Sequence, residues 1–167
     1  MIAAFFALAS GLWPFGTSQT STQHFQVPAW NIRVTRDKFT QDRTCLVFQG
    51  RQRKPMVSYA HGAVTFQFAS HLNTTEASFK IDNGPVRAWD DVYPALVQTG
   101  ARLEGRSLDN PTGGKVMIPL SMLRGAHVVT VRPSPRTRPR SFAIDGLGDV
   151  LGSAQGLGCE AGVVTRS

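Results

Sequence analysis

The residues of this chain that could do chemistry begin with a pair of carboxylates, Asp90 and Asp91, which follow Trp89. Two acids beside an aromatic ring can serve glycoside hydrolysis, in which carboxyl groups flank the scissile bond. Asp residues in turns equally bond their own backbone or cap short helices. A hydrolase of envelope polymers acting through Asp90 and Asp91 is therefore the alternative interpretation.

The four histidines, His24, His61, His71 and His127, fall on separate segments. No His-x-His or His-Glu-x-x-His spacing brings them together, whereas a zinc site needs converging ligands. Neither a Gly-x-Ser-x-Gly elbow nor a phosphate-loop pattern occurs. The sequence therefore predicts no metal, no cofactor and no catalytic residue, and a non-enzymatic protein is the leading interpretation.

Cys45 and Cys159 are the only cysteines, and they lie far apart in the chain. In an oxidising compartment one disulfide between them is expected, and closing a loop of roughly 100 residues contributes about 4–5 kcal/mol in the chain-entropy model. In a reducing compartment they would be two buried thiols.

Residues 1–16 are almost entirely apolar. The run is shorter than the ~20 residues that a membrane-spanning helix needs and matches the apolar part of a signal peptide, although no Lys or Arg precedes it. We expect either a signal segment or an uncleaved anchor that would hold an accessory subunit to a membrane complex. The remaining alternative is a first strand or helix of the folded domain. Export and the disulfide support each other, which predicts a periplasmic or secreted protein.

The chain is basic, with 18 Lys and Arg residues against 11 Asp and Glu residues and a net charge of +7. Its most concentrated basic segment alternates arginine with proline, and a second lies at a predicted hairpin tip. Together these are the predicted anion-binding residues: Arg132, Arg136, Arg138, Arg140, Arg51, Arg53 and Lys54. The prolines favour an extended loop on which guanidinium groups lose little entropy on meeting an anion.

Such a surface attracts phosphates and carboxylates. The expected partner is an anionic envelope component, either lipopolysaccharide or phospholipid headgroups, or else an acidic protein. Nucleic acid is not expected. The alternative is that the segment is a solvated hairpin loop, protected from aggregation by its charges.

Apolar residues alternate with polar ones along most of the chain, the period of a half-buried strand. Trp30, Ile32 and Val34 show it most clearly, and Asn83-Gly84 predicts a tight hairpin turn. Near the end, Leu147, Val150, Leu151 and Ala154 follow a helical period instead. The fold prediction is therefore mostly β: a single-domain β-sandwich or distorted barrel of about eight short strands with a short C-terminal helix.

The predicted organisation has four parts. An apolar signal or anchor segment covers 1–16, a polar tether 17–28, the β domain 29–159 and a frayed tail 160–167.

Four motifs occur in a fixed order: Trp30 opening a strand, Cys45-Leu46 after a turn, Phe79-Lys80-Ile81-Asp82-Asn83-Gly84, and Phe142-Ala143-Ile144-Asp145-Gly146-Leu147. This series resembles small uncharacterised exported proteins of alphaproteobacteria and is more remotely similar to the invasion-associated locus B family. The resemblance spans roughly residues 29–159. It implies a periplasmic or surface β-sandwich without enzymatic activity, with envelope or host-interaction roles. This chain has two cysteines where that family often has four, and no catalytic residue is carried over.

Overall fold

The computed structural model describes residues 20–51, 54–98 and 110–159. The predicted signal or anchor segment 1–16, residues 17–19 of the tether and the tail 160–167 lie outside the described residues. The described elements follow one another in this order: β1 (Thr20–Val27), β2 (Trp30–Asp37), β3 (Arg43–Arg51), β4 (Lys54–Ala60), β5 (Ala63–Gln67), β6 (Ser78–Ile81), β7 (Arg87–Ala88), a 3-10 turn (Asp90–Val92), α1 (Tyr93–Gln98), β8 (Lys115–Pro119), a second 3-10 turn (Leu120–Met122), β9 (Val128–Arg132), β10 (Arg140–Ala143) and α2 (Leu147–Gly156).

The strands form two antiparallel sheets. The larger has six strands in the order β1-β2-β3-β4-β5-β8, and the smaller has four in the order β10-β9-β6-β7. In the described part of the chain neither sheet closes on itself, so the distorted-barrel alternative is wrong. The prediction of a mostly-β sandwich with a short C-terminal helix is confirmed. Within the described residues the strands number ten rather than about eight, because β1 and the two-residue β7 lack the apolar alternation that marks a strand in sequence.

The core lies between the two sheets and is built by the predicted alternation. Trp30, Ile32 and Val34 of β2 are buried, whereas the residues between them are half-exposed. From the four-stranded sheet, Phe142 reaches across to Phe66 of β5, with 5.1 Å between ring centroids. Each large apolar side chain that is fully buried contributes roughly 1.5–3 kcal/mol. Period-2 patterning therefore accounts for both the strands and the way in which their faces meet.

The polar tether predicted for 17–28 is wrong for residues 20–27, which form β1. Every residue of β1 is paired with a residue of β2, from Thr20 opposite Asp37 to Val27 opposite Trp30. Only Phe25 and Val27 pack against the core. Because this edge strand is held mainly by backbone pairing rather than by burial, its sequence carries almost no apolar signal.

A hairpin does occur at the predicted Asn83-Gly84 turn, where β6 pairs with β7. The left-handed residue, however, is Asp82 with φ +48°. Its carboxylate accepts hydrogen bonds from the backbone N–H groups of His127 (3.1 Å) and Val128 (2.8 Å). A Cβ at Gly84 would lie 2.9 Å from the Ile81 carbonyl oxygen. Position 84 therefore requires glycine because its backbone lies close to the Ile81 carbonyl, and not because it has a positive φ.

The free edge of β8 is covered by side chains and by α1. The Trp89 indole donates to the Met117 carbonyl (2.7 Å), and the Thr74 hydroxyl donates to the Lys115 carbonyl (2.6 Å). Pro94 lies in the first turn of α1, where its missing N–H costs nothing. Pro119 ends β8, which lies at the edge of the six-stranded sheet, where a residue without an N–H costs no ladder hydrogen bond.

The C-terminal helix α2 follows its predicted apolar face, with Leu147, Val150 and Ala154 buried. Just beyond its end, Cys159 forms the predicted disulfide with Cys45 of β3. The disulfide is consistent with an oxidising compartment outside the cytoplasm. Among the described residues, no helix has the length and apolar character to span a membrane.

Candidate anion-binding surface

Four of the predicted arginines lie on the hairpin formed by β9 and β10. Arg132 ends β9, Arg140 begins β10, and Arg136 and Arg138 lie in the loop between them. All four are exposed. Among the described residues Arg132, Arg136 and Arg138 form no ion pair. No described carboxylate therefore neutralises these three charges.

The loop between β9 and β10 is a closed turn rather than the extended segment that its prolines predict. The Thr137 N–H donates to the Ser134 carbonyl (3.1 Å), and the Thr137 hydroxyl donates to the same oxygen (2.8 Å). The Ser134 N–H in turn donates to the Thr137 hydroxyl oxygen (3.0 Å). These local hydrogen bonds outweigh the extended preference of proline. The loop still holds its arginines outward, since Pro133 is buried and Arg136 is exposed.

Arg140 joins this hairpin to the six-stranded sheet. Its Nη2 donates to the Met56 sulfur of β4 over 3.3 Å. Its guanidinium carbon also lies 5.3 Å from the centroid of the Phe142 ring, within the range of a cation–π contact. The charge of Arg140 is therefore held at the junction between the two sheets.

The second predicted basic segment lies at the β3–β4 hairpin, next to Met56. Arg51 is exposed at the end of β3 and pairs across the hairpin with Lys54 of β4. Arg53 lies outside the described residues, as does the side chain of Lys54. The contact of Arg140 with Met56 brings the two basic segments to one end of the molecule. We call the described set the arginine surface: Arg51, Arg132, Arg136, Arg138 and Arg140.

Acidic residues are segregated away from the strands that carry the arginine surface. Neither residues 43–75 nor residues 110–144 contain an Asp or a Glu. These two stretches include β3, β4, β5, β8, β9 and β10. The strands that carry the arginine surface therefore contribute cations and no carboxylate to it.

A shallow cavity of about 360 Å³ lies next to the arginine surface, on the outward side of the four-stranded sheet. We call it the sheet groove. Its lining includes two cations, three hydroxyl side chains and no carboxylate. The residues are Ser78, Phe79, Lys80, Val86, Thr130, Arg132, Pro139 and Ser141.

Of these residues, only Arg132 belongs to the site predicted from sequence. The alternation of Lys80 with the buried Phe79 does place the lysine on the outward face. Its neighbours depend on the strand order β10-β9-β6. That order sets Lys80 beside Thr130 and Thr130 beside Ser141. Sequence alternation identifies a face but not which strands share it, so the groove could not be read from the sequence.

A second cavity, of about 530 Å³, lies between α2 and the segment that leads into β9. At its rim His127 Nδ1 lies 2.7 Å from Asp145 Oδ1, with the two side chains 76% and 61% exposed. The spacing of the histidines in sequence does not reveal this pair, because His127 lies just before β9 and Asp145 just after β10. The lining of this cavity contains no hydroxyl, thiol or amine side chain among the described residues.

The Asp145 carboxylate raises the pKa of His127, first through its hydrogen bond and then through its charge, and Asp82 adds a smaller effect through its charge. Both partners are largely exposed, so solvent screens the pair and its contribution to stability is small.

Asp90 and Asp91, the alternative catalytic pair, lie in the exposed 3-10 turn after Trp89. Neither contributes to the lining of the sheet groove or of the cavity beside α2. Within residues 20–51, 54–98 and 110–159, no cluster of three or more His, Cys, Asp or Glu side chains could hold a metal ion.

In comparisons with protein-family models, curated proteins and solved structures, nothing matched this chain. The resemblance to the invasion-associated locus B family therefore stays a prediction.

Proposed function

We propose that this protein is an exported, non-enzymatic binding protein of the bacterial envelope, which contacts phosphate-bearing lipid headgroups through the arginine surface. The observation that carries the proposal is the convergence, at one end of the molecule, of two basic segments on hairpins whose strands contain no Asp or Glu. Arg140 makes the connection by lying against Met56. An anion at this end would meet several guanidinium groups at once, none of them competing with a neighbouring acid.

Lipid headgroups fit this surface better than a single small anion does. The charges are spread over the tips of two hairpins, whereas a discrete small-molecule site needs converging donors. Met56, which is 43% exposed, adds an apolar contact between the arginines. A surface of cations with an exposed apolar side chain is suited to an anionic membrane interface.

Co-sedimentation with vesicles tests the proposal. The wild-type chain should bind vesicles that contain phosphatidylglycerol and should not bind vesicles of phosphatidylcholine alone. Replacing Arg136, Arg138 and Arg140 with Ser removes three cations, each contributing about 1 kcal/mol near an anionic surface. We expect affinity to fall by about 100-fold.

The matched control replaces three exposed cations outside the arginine surface with Ser: Arg36 near the end of β2, Lys38 just after it and Arg124 before β9. It changes net charge equally and should retain most of the binding. Equal losses in the two triple variants would show that net charge alone drives association. Binding of an acidic protein but not of the anionic vesicles would assign the surface to a protein partner and overturn the lipid proposal.

Periplasmic or secreted localisation is the second part of the proposal, supported by the Cys45–Cys159 disulfide. Intact mass of the protein from its native host, alkylated with and without prior reduction, tests it. Alkylation only after reduction is expected. Two thiols that react without reduction would place the protein in a reducing compartment and contradict the proposal.

A further inference from the structure

The outward face of the four-stranded sheet orders polar side chains into two rows. In the first, Lys80 of β6, Thr130 of β9 and Ser141 of β10 are direct neighbours across three strands. In the second, two residues further along, Ser78 of β6 lies beside Arg132 of β9. Because side chains two residues apart on a strand share a face, both rows point into the sheet groove.

The hydroxyl groups of this face can donate hydrogen bonds to a ligand. Thr130 Oγ1 and Ser141 Oγ lie 2.8 Å apart, and either can be the donor. Whichever hydroxyl accepts keeps its own hydrogen for a further partner. The groove therefore offers hydroxyl donors together with an ammonium and a guanidinium group, and no acceptor-only carboxylate lines it.

This donor set matches a phosphoryl group. A phosphate monoester presents three terminal oxygens and close to two negative charges near neutral pH. A carboxylate presents two oxygens and one charge and would leave part of the set unused. Lys supplies a point charge and Arg a planar fork, which are the two usual ways of holding phosphate oxygens.

Apolar side chains flank the polar rows. Val86 is 70% exposed and lines the groove together with Pro139. An exposed valine beside two cations offers a contact for the carbon atoms of an esterified phosphate, which inorganic phosphate lacks.

We propose that the sheet groove is a discrete site for a phosphate monoester, with Lys80 and Arg132 holding the phosphoryl oxygens and Val86 and Pro139 contacting the esterified group. The inference deepens the proposed function, on which it rests for its envelope setting. The monoester chemistry is shared by soluble glycerol phosphates and by a lipid with a terminal phosphate, such as phosphatidic acid, and the experiment distinguishes these sources.

Amide chemical shifts of the isotopically labelled chain, followed during titration at constant ionic strength, test the site. The probes are glycerol 3-phosphate, inorganic phosphate and sodium acetate. Saturable shifts are expected at Lys80, Thr130, Arg132 and Ser141. The ester should bind more tightly than inorganic phosphate, and acetate should bind weakest. Shifts that are uniform over the surface, or that acetate reproduces, would overturn the proposal.

Lys80→Gln is the decisive variant, because Lys80 lines the groove but is not part of the arginine surface. It should weaken glycerol 3-phosphate binding by at least about tenfold, the effect of losing one charge-assisted hydrogen bond. Lys38→Gln, which removes an exposed lysine that belongs neither to the groove nor to the arginine surface, is the matched control and should leave binding unchanged. Thermal unfolding of both variants would confirm that each is folded. Unchanged binding by a folded Lys80→Gln chain would contradict the assignment.

The vesicle assay separates failure of this site from failure of the proposed function. If Lys80→Gln loses glycerol 3-phosphate but keeps its affinity for vesicles that contain phosphatidic acid, the groove binds a soluble ester and the arginine surface binds the membrane. If it loses both, the groove holds the lipid headgroup itself. If no glycerol 3-phosphate binds to the wild-type chain while vesicles do, the groove proposal fails and the proposed function stands.

Discussion

Arg140 of β10 lies against Met56 of β4, with 3.3 Å between Nη2 and the sulfur, although 84 positions separate them in the chain. The contact holds the β9–β10 hairpin against the β3–β4 hairpin, and each hairpin carries one of the two basic segments of the sequence. Phe142 supports the same guanidinium from within β10. A basic surface that appears in sequence as two unrelated segments is therefore one continuous feature of the fold.

Reducing the disulfide should destabilise the protein without affecting any other thiol, because Cys45 and Cys159 are the only cysteines. The bridge closes a loop of 114 positions, for which the chain-entropy model gives about 4–5 kcal/mol. Urea unfolding with and without reductant measures the difference. The Cys45→Ala, Cys159→Ala double variant should match the reduced wild type and should not respond to reductant. A reduced chain as stable as the oxidised one would contradict the stabilising role of the bridge.

Two glycines should respond oppositely to replacement by alanine. Gly114 has φ +75°, and a Cβ there would lie 2.3 Å from the Ala69 carbonyl oxygen. Gly114→Ala should therefore cost about 3 kcal/mol. Gly152 lies within α2, and a Cβ there would meet open space, so Gly152→Ala should stabilise the fold by up to about 1 kcal/mol. Urea unfolding of the two variants checks both signs, and a stabilising Gly114→Ala would disprove the close approach.

The His127–Asp145 pair should make stability depend on pH in one direction. The raised folded-state pKa of His127 means that its protonated form favours the folded state. This contribution is complete below the ordinary pKa of about 6.5 and is lost as pH rises through the folded-state pKa. The stability difference between wild type and His127→Gln should therefore shrink between pH 5 and pH 9, a range of about four units around the ordinary value. Urea unfolding midpoints of the two proteins, measured across that range, test this prediction. A stability difference that grows with pH would contradict it.

Much of the fold could be predicted because its cause is local. Alternation identifies β2 through Trp30 and Ile32, and a helical period identifies α2 through Val150 and Ala154. A pair of cysteines in a chain expected to be exported identifies the disulfide. The residues that determine β2 and α2 lie within those elements. The disulfide could be predicted because the chain has only two cysteines.

The remaining features depend on which strands become neighbours. β1 is stabilised by pairing with β2 and carries little apolar signal of its own. Lys80 lines the sheet groove only because β6 lies beside β9. His127 meets Asp145 because the pairing of β9 with β10 continues past the strands, where the Ile144 N–H donates to the His127 carbonyl. Such partners follow from tertiary pairing rather than from local sequence. Composition identifies the arginines but not the turn that carries them. The hydrogen bonds between Ser134 and Thr137 override the preference of the prolines for an extended backbone.

The salt dependence of vesicle binding is the most direct test of the central claim, that the arginine surface contacts anionic headgroups. The affinity of the wild-type chain for phosphatidylglycerol vesicles is measured over a series of salt concentrations and compared with that of the Arg136→Ser, Arg138→Ser, Arg140→Ser variant. We predict a steep loss of wild-type affinity with salt and a clearly shallower dependence in the variant, because exposed charges are screened within a Debye length. Equal salt dependence in the two proteins would contradict the claim.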